Sequence, residues 1–249
     1  MTEENAGSAK KLEAVFKEAG ISLSPETAER FCQYYRLLVE RNRVMNLTAI
    51  TEETDVFVKH FLDSAMLWKL LDEAGVPLPA APSVVDVGTG AGFPGIPLKL
   101  LRPECPLLLL DALSKRVNFL TEVKELLSLQ GVQVLHGRSE DAARAGEPLR
   151  EAFDLAVSRA VSALPVLSEY CLPFVKVGGL FAAYKAGEAE EEIKTAGHAI
   201  STLGGNIERV LSYFVPGTNL SRTIILVRKT CQTPAAYPRK AGKPEKKPL

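Results

Sequence analysis

The sequence predicts a helical region followed by an α/β fold, with a sheet that is mostly parallel and has an antiparallel last strand. Three observations predict it. From residue 83 onward, short apolar runs alternate with stretches of helical periodicity, as in strands joined by helical crossovers. Before residue 80 the apolar residues recur at helical spacing. The first crossover opens on a glycine-rich turn, the device by which a Rossmann-like sheet lets its backbone approach a ligand.

Leu12, Val15, Phe16 and Ala19 form one helical face that ends at Gly20. Ser24-Pro25 starts a second helix, with Ser as N-cap and Pro in the first turn. Its apolar face is Phe31, Tyr34, Tyr35 and Leu38. Residues 41–50 read as a loop. A third helix over 55–71 buries Phe57, Phe61, Ala65 and Trp68, and Pro77, Pro79 and Pro82 mark a linker. Strands are predicted at 83–87, 107–110, 132–136, 153–158 and 180–184, with helices at 95–101, 115–129, 163–174 and 188–203. Residues 207–215 and 223–228 pair as a final antiparallel hairpin across Pro216-Gly217. The predicted organisation is a helical region at 1–80 packed on the core, a Rossmann-like domain at 81–232, and a basic tail at 233–249. That tail is rich in Pro and Lys and is expected to be disordered.

The 249 residues suffice for a large core without disulfides. Lys+Arg and Asp+Glu are both 30, so any nucleic-acid binding must come from a local basic patch. Cys32, Cys105, Cys171 and Cys231 form no Cys-x-x-Cys pair and do not cluster with histidines, which argues against a zinc site and for reduced thiols. Residues 1–10 are polar and acidic, unlike a signal peptide, and no apolar run approaches the ~20 residues of a membrane span. A cytoplasmic monomer without a membrane partner is expected.

The run Val84-Val85-Asp86-Val87-Gly88-Thr89-Gly90-Ala91-Gly92-Phe93-Pro94-Gly95 passes from a strand through a glycine turn into a helix. A dinucleotide fingerprint needs glycine at Phe93, and a P-loop needs Gly-Lys-Ser/Thr; neither is present, which disfavours a nicotinamide dehydrogenase. The Gly88, Gly90, Gly92 spacing, with Asp86 two residues ahead, suits S-adenosylmethionine. That molecule has no pyrophosphate and needs an acid for its ammonium group. The bland alternative is a turn that merely caps a helix.

Asp111 follows the second strand, where a carboxylate can accept from both ribose hydroxyls; the alternative is that Asp111 and Ser114 cap the next helix. Ser139 and Glu140 after the third strand suit the adenine ring, or again a cap. Arg159 ends the fourth strand, in Val157-Ser158-Arg159-Ala160, as a site residue or a surface ion pair. The Asp/Asn-Pro-Pro-Tyr string of exocyclic-amine methyltransferases, and the Asp within the Lys-Asp-Lys-Glu set of ribose 2′-hydroxyl enzymes, are absent there. Cys171, in an apolar helix, reads as core and not as the nucleophile of a carbon-5 enzyme. Guanine N7 fits what remains, because its lone pair is free at neutral pH and needs neither a general base nor a covalent catalyst. Lys185 ends the fifth strand, at the same sheet edge as the other strand ends. Arg41, Arg43, Lys185 and Arg222 are candidate RNA contacts, with Arg228, Lys229 and the tail cations Arg239, Lys240, Lys243, Lys246 and Lys247 behind them; the alternative is a solvated face. His60 reads as a packed or capping histidine.

Six strings in order, Asn46-Leu47-Thr48-Ala49-Ile50, His60-Phe61-Leu62-Asp63-Ser64, the run 86–97, Ser114-Lys115-Arg116-Val117, His136-Gly137-Arg138 and Ser158-Arg159-Ala160, make residues 24–229 resemble the RsmG (glucose-inhibited division protein B) family. These are bacterial 16S rRNA guanine-N7 methyltransferases. The resemblance implies an S-adenosylmethionine-dependent methyltransferase sheet, activity on small-subunit rRNA, no metal, no catalytic residue acting as base, and cofactor contacts from Gly88, Phe93, Asp111, Ala112, Leu113, Ser139, Glu140 and Arg159. Tyr184-Lys185-Ala186-Gly187 departs from the family's frequent Leu-Lys-Gly-Pro, and Ala112-Leu113 from its frequent Asn or Ser-Leu. Methylation of another RNA or a small molecule, or a cofactor-binding module without catalysis, are the competing readings.

Overall fold

A computed structural model of the protein describes residues 3–159, 161–187 and 189–249. Ala160, the last residue of a string quoted above, and Glu188, the first of a predicted helix, lie outside them. Helix α1 (Glu3–Glu18) buries Leu12 and Phe16, and Gly20 closes it with a φ of +72°. Helix α2 (Pro25–Met45) begins on Ser24, whose hydroxyl accepts from the Thr27 amide at 3.1 Å. It runs through residues 41–45, where a loop was expected. Asn46 ends it in the left-handed region at φ 51°, and the Asn42 carboxamide oxygen accepts from the Leu47 and Thr48 amides at 2.6 and 2.9 Å. An asparagine C-cap can do the work of the glycine usually sought there.

The third predicted helix is one continuous rod of three stretches: α3 (Glu53–Val56), a π-helical stretch (Phe57–Leu62) and α4 (Asp63–Glu73). Phe57, Phe61, Ala65 and Trp68 are buried as expected. The wide turns fall on the string that contains His60 and end just before Asp63, and π turns tend to occur where a helix serves a site.

The sheet has seven strands in the order β3-β2-β1-β4-β5-β7-β6. Strands β1 (Val84–Val87), β2 (Leu107–Asp111), β3 (Val132–His136), β4 (Phe153–Arg159) and β5 (Val175–Ala186) are parallel. β6 (Gly205–Phe214) and β7 (Ser221–Lys229) form the predicted hairpin, with β7 inserted antiparallel between β5 and β6. β5 is longer than predicted, because Gly178-Gly179 lies within the strand instead of before it. Residue parity along the strands splits the core, as period-two alternation requires. Val84, Leu107, Leu109, Leu155 and Val157 pack with the N-terminal helices, α5 (Gly95–Leu101) and α6 (Ser114–Leu126). Val85, Leu108, Leu110 and Ala156 pack with α8 (Leu164–Cys171), which follows the short α7 (Ser139–Ala142), and with α9 (Glu190–Thr202). A 3₁₀ turn (Leu172–Phe174) takes the last residues of the helix predicted over 163–174.

The tail is ordered, contrary to expectation, and ends in a turn of helix, α10 (Lys243–Lys246). Its composition resembles that of a solvated segment, but Arg239 and several of its carbonyls have partners. The Arg239 guanidinium binds both oxygens of Glu169, which is fully buried. Arg150 donates to the Thr233 and Tyr237 carbonyls at 2.6 and 2.8 Å, while Tyr237 and Leu249 pack on the α8 side of the core.

Candidate functional site

Because β1 to β5 run parallel, their C-terminal ends share one edge. The chain moves outward from β1 to β2 and β3, then crosses back to β4, so the ends of β1 and β4 flank a topological switch point. Open α/β sheets bind ligands in that crevice. A cavity of about 500 Å³ lies there, walled by Gly88, Thr89, Gly90, Ala91 and Phe93 from the glycine turn, Asp111, Ala112, Leu113 and Arg116 beyond β2, Arg159 and Val161 beyond β4, and Leu47, Thr48 and His60 from the helical region.

The glycine turn folds over β2, with the Gly88 and Thr89 amides donating to the Leu110 carbonyl at 2.9 and 3.1 Å. Gly88 and Gly90 have φ values of +71° and +62°, accessible to glycine at little cost. A side chain on Gly88 would strike Val161, whereas one on Gly90 would meet no atom within 4 Å. The backbone at Gly90 therefore faces open space. Asp111 accepts from the Gly90 amide and from the Leu113 amide, each at 2.9 Å. One carboxylate thus ties the glycine turn to the loop after β2 and stands in the cavity wall, while α6 starts on Leu113 without a side-chain cap.

Two of the expected contact residues are held away from the wall. Asp86 is fully buried beneath the turn, where its Oδ2 accepts from the Thr89 hydroxyl at 2.7 Å and the Gly95 amide at 2.8 Å. A side chain on Gly92 would collide with Ile96 and the Tyr34 hydroxyl. The turn wraps around the Asp86 carboxylate to start α5, so both residues brace the loop from behind. Asp86 Oδ1 is buried with no partner among the described residues. Burial outweighs its hydrogen bonds and Arg159, and pushes the Asp86 carboxyl up to about 7.

Ser139 and Glu140 line a second hollow of about 190 Å³ that shares Gly88, Asp111, Ala112 and Val161 with the first. Ser139 is not the N-cap of α7; that position is Arg138, which makes no side-chain cap, and the Ser139 hydroxyl donates to Glu140 at 3.2 Å. On the opposite side, His60 and Arg159 are shared with a third cavity of about 450 Å³, walled also by Ile50, Asp63, Tyr184, Lys185 and Arg222.

Arg159 is the hinge of the arrangement. Its guanidinium lies 5.0 Å from the centroid of Phe93, 3.2 Å from His60 Nδ1 and 3.3 Å from Asp63 Oδ2. His60 stacks on Phe93 with centroids 4.6 Å apart and shares a 2.8 Å hydrogen bond with the Thr48 hydroxyl. Burial, then the Arg159 cation, hold the imidazole down at about 3, so it is neutral. Asp63, buried, also accepts from Arg222 Nε at 3.3 Å and the Tyr213 hydroxyl at 2.8 Å.

The candidate basic residues divide. Lys185 and Arg222 face the third cavity; Lys185 Nζ lies 2.8 Å from the Ser162 carbonyl and 2.6 Å from Glu192. Arg41, at the end of α2, is paired with Glu122 at 2.6 Å, and Arg43 is exposed; neither lines a cavity named here. Arg228 pairs with Glu208 and Lys229 is buried. His60 is packed, as the sequence suggests, and also stands in the cavity wall; Thr48, Asp63 and Glu245 line the cavities with no single-residue signal in the sequence. Among the described residues no three His, Cys, Asp or Glu side chains converge as a metal site would require, and no helix is long and apolar enough to cross a membrane.

Comparison with known proteins agrees with this architecture. The model of a family described as rRNA small subunit methyltransferase G matches residues 27–220. A ribosomal RNA small subunit methyltransferase G of Lachnoclostridium phytofermentans is 46% identical over 233 residues, 94% of each chain. That of Desulforamulus reducens is 44% identical over 238 residues, 96% of this chain and 97% of its own. Among solved structures, a SAM-dependent methyltransferase from Aquifex aeolicus superposes with a TM-score of 0.50 at 20% identity, covering 69% of this chain and 92% of its own. M. jannaschii TYW2, solved in complex with AdoMet, also reaches 0.50, at 14% identity, covering 66% of this chain and 76% of its own. These likenesses between structures concern the fold. The match to the family model and the identity shared over nearly the whole chain establish that this protein belongs to the ribosomal RNA small subunit methyltransferase G family.

Proposed function

We propose that the protein transfers a methyl group from S-adenosylmethionine to N7 of a guanine in 16S rRNA, acting as a cytoplasmic monomer on RNA of the small ribosomal subunit. One observation carries the reading: the cavity over the glycine turn meets the third cavity, whose lining includes Lys59, Lys185 and Arg222 with the acids Asp63 and Glu192, across a wall made by His60 and Arg159. A donor and an acceptor held on the two sides of that wall would approach each other there.

The residues fit such a cofactor. The open backbone face at Gly90 and the wall carboxylate of Asp111 suit a molecule with a ribose diol. In this reading Gly88, Gly90 and Phe93 hold the methionine end, with Asp86 and Gly92 acting from behind the turn. Asp111 takes the ribose, and Ala112, Leu113, Ser139 and Glu140 take the adenine. When bound, the cofactor supplies a methyl group on a positively charged sulfur. Guanine N7 carries its lone pair in the ring plane and loses no proton on methylation, so the protein's task is to position the base and exclude water. A neutral His60, stacked on Phe93 and with both ring nitrogens engaged, is consistent with having no proton to move. Lys185 and Arg222 suit the purine carbonyl or a neighbouring phosphate, and Arg41 and Arg43 suit phosphates farther along the strand.

The test is methyl transfer from labelled cofactor to small-subunit particles from cells lacking the gene, with the modified position mapped by mass. A label that comes off as 7-methylguanine is expected. Label on a different atom or base would refute the assignment. Gly90→Val, which fills the open face, should weaken cofactor binding at least about tenfold by calorimetry.

A further inference from the structure

The smaller hollow, which the reading above assigns to the adenine, has one wall that no strand-end loop supplies. Glu245, in the C-terminal α10, lines it opposite Ser139 and Glu140. At about 190 Å³ the hollow has roughly six times the ~30 Å³ share of a water molecule, room for a flat heterocycle and little more.

The tail reaches this position by several independent ties. The Arg239 guanidinium and backbone amide both bind Glu169, at distances of 2.5 to 3.0 Å, and its Nη1 donates to the Lys247 carbonyl at 2.8 Å. One side chain therefore joins α8 to the far end of the tail. The Gly242 amide donates to Glu140 Oε1 at 3.1 Å, Pro244 is buried, and Tyr170 lines the same hollow as Glu245. A fully buried carboxylate bound bidentately by arginine is a strong, directional anchor. The segment is accordingly a fixed wall of the hollow.

Arg138, Ser139 and Tyr170 also line the hollow, but the Ser139 hydroxyl already donates to Glu140 and the Gly242 amide takes its other oxygen, so Glu245 is the acceptor that the tail adds. Ionised Glu140 and Glu245 can only accept hydrogen bonds. A ring with an exocyclic amine at this edge finds acceptors; a ring with a carbonyl there finds repulsion. We propose that the C-terminal segment 239–247 completes the nucleobase subsite and that Glu245 is a specificity-determining residue, selecting a 6-amino purine over its 6-oxo counterpart. The proposal rests on the cofactor reading above.

Calorimetry of the full-length protein with S-adenosylhomocysteine and S-inosylhomocysteine, which differ in that amine and carbonyl and in the proton on the adjacent ring N1, tests both levels. The wild type should prefer the adenosyl compound by about tenfold or more, the scale of one hydrogen bond to a charged group. Glu245→Ala should lose most of that preference. Glu245→Gln, which offers an N–H beside its carbonyl, should bind the two compounds with similar affinity. Arg239→Ala should reproduce the loss with Glu245 intact, because the wall is unmoored. Glu245 is exposed, so its variants should fold, and an unchanged thermal midpoint checks this. Tight adenosyl binding with an unaltered preference in both Glu245 variants would overturn the proposal and leave the cofactor reading standing. Failure of the wild type to bind either compound would overturn both.

Discussion

Asp63 Oδ2 accepts from Arg159 Nη1 at 3.3 Å, although 96 residues separate the two in the chain. The same carboxylate takes Arg222 and Tyr213, so a residue of the N-terminal helices orients side chains from β4, β6 and β7 at the wall between two cavities. Removing one partner of a buried charge pair costs about 3–5 kcal/mol, because the remaining charge is left uncompensated. Asp63→Ala should lower the unfolding free energy by roughly that amount in urea titrations and abolish methyl transfer. A loss below about 1 kcal/mol would mean that water already screens the pair.

His60 should behave as a permanently neutral ring. Its folded value of about 3 lies below the ordinary 6.5. The stability it contributes is therefore present above 6.5 and is lost as pH falls from there toward 3. Its ring C2 proton should hold a constant NMR shift between about pH 5 and 8, a window in which a solvated histidine titrates. The transfer rate at saturating substrates should show no ionisation from His60. A midpoint near 6.5 in either measurement would refute the neutral assignment.

Asp86 gives the opposite dependence. Burial raises its carboxyl from 3.8 to about 7, so its contribution is fully present below the unfolded value and is lost as pH rises through about 7. Between about pH 4 and 7 the wild type should lose stability on the order of 2–4 kcal/mol from this group. Asp86→Asn keeps an acceptor for Thr89 and Gly95, and should remove that slope, gaining on the wild type at pH 8 relative to pH 4. Parallel stability curves for the two proteins across this range would show that Asp86 is not the titrating group.

Arg41 and Arg43 should engage RNA from outside the cavities. Each phosphate neutralised contributes about −0.7 to the slope of log affinity against log salt on single-stranded RNA. Arg41→Ala/Arg43→Ala should flatten that slope by up to about 1.4 and leave cofactor affinity unchanged. Arg41 must first give up Glu122, so Arg43, exposed and near the exposed Val44, should carry more of the effect. An unaltered slope would place the RNA path elsewhere on the surface.

Local sequence determined the elements and the glycine-turn side of the cavity. Period-two and helical apolar spacing set β1 to β4, α5 and α6 within a few residues, because each must bury one face whatever its neighbours are. The turn 88–92 was legible because positive φ at Gly88 and Gly90 is a local backbone demand. Tertiary structure decided what depended on partners far away in the chain. Residues 41–45 are helical because Asn46 and Asn42 supply a cap that composition does not announce. Asp86 and Gly92 turned inward because the loop closes around them. The tail is ordered because Arg239 finds Glu169, and that acid, isolated in the sequence, gains its meaning only when α8 carries it into the core. Asp63, His60 and Glu245 became site residues for the same reason: a carboxylate or an imidazole has no fixed chemistry until packing chooses its neighbours and removes its water.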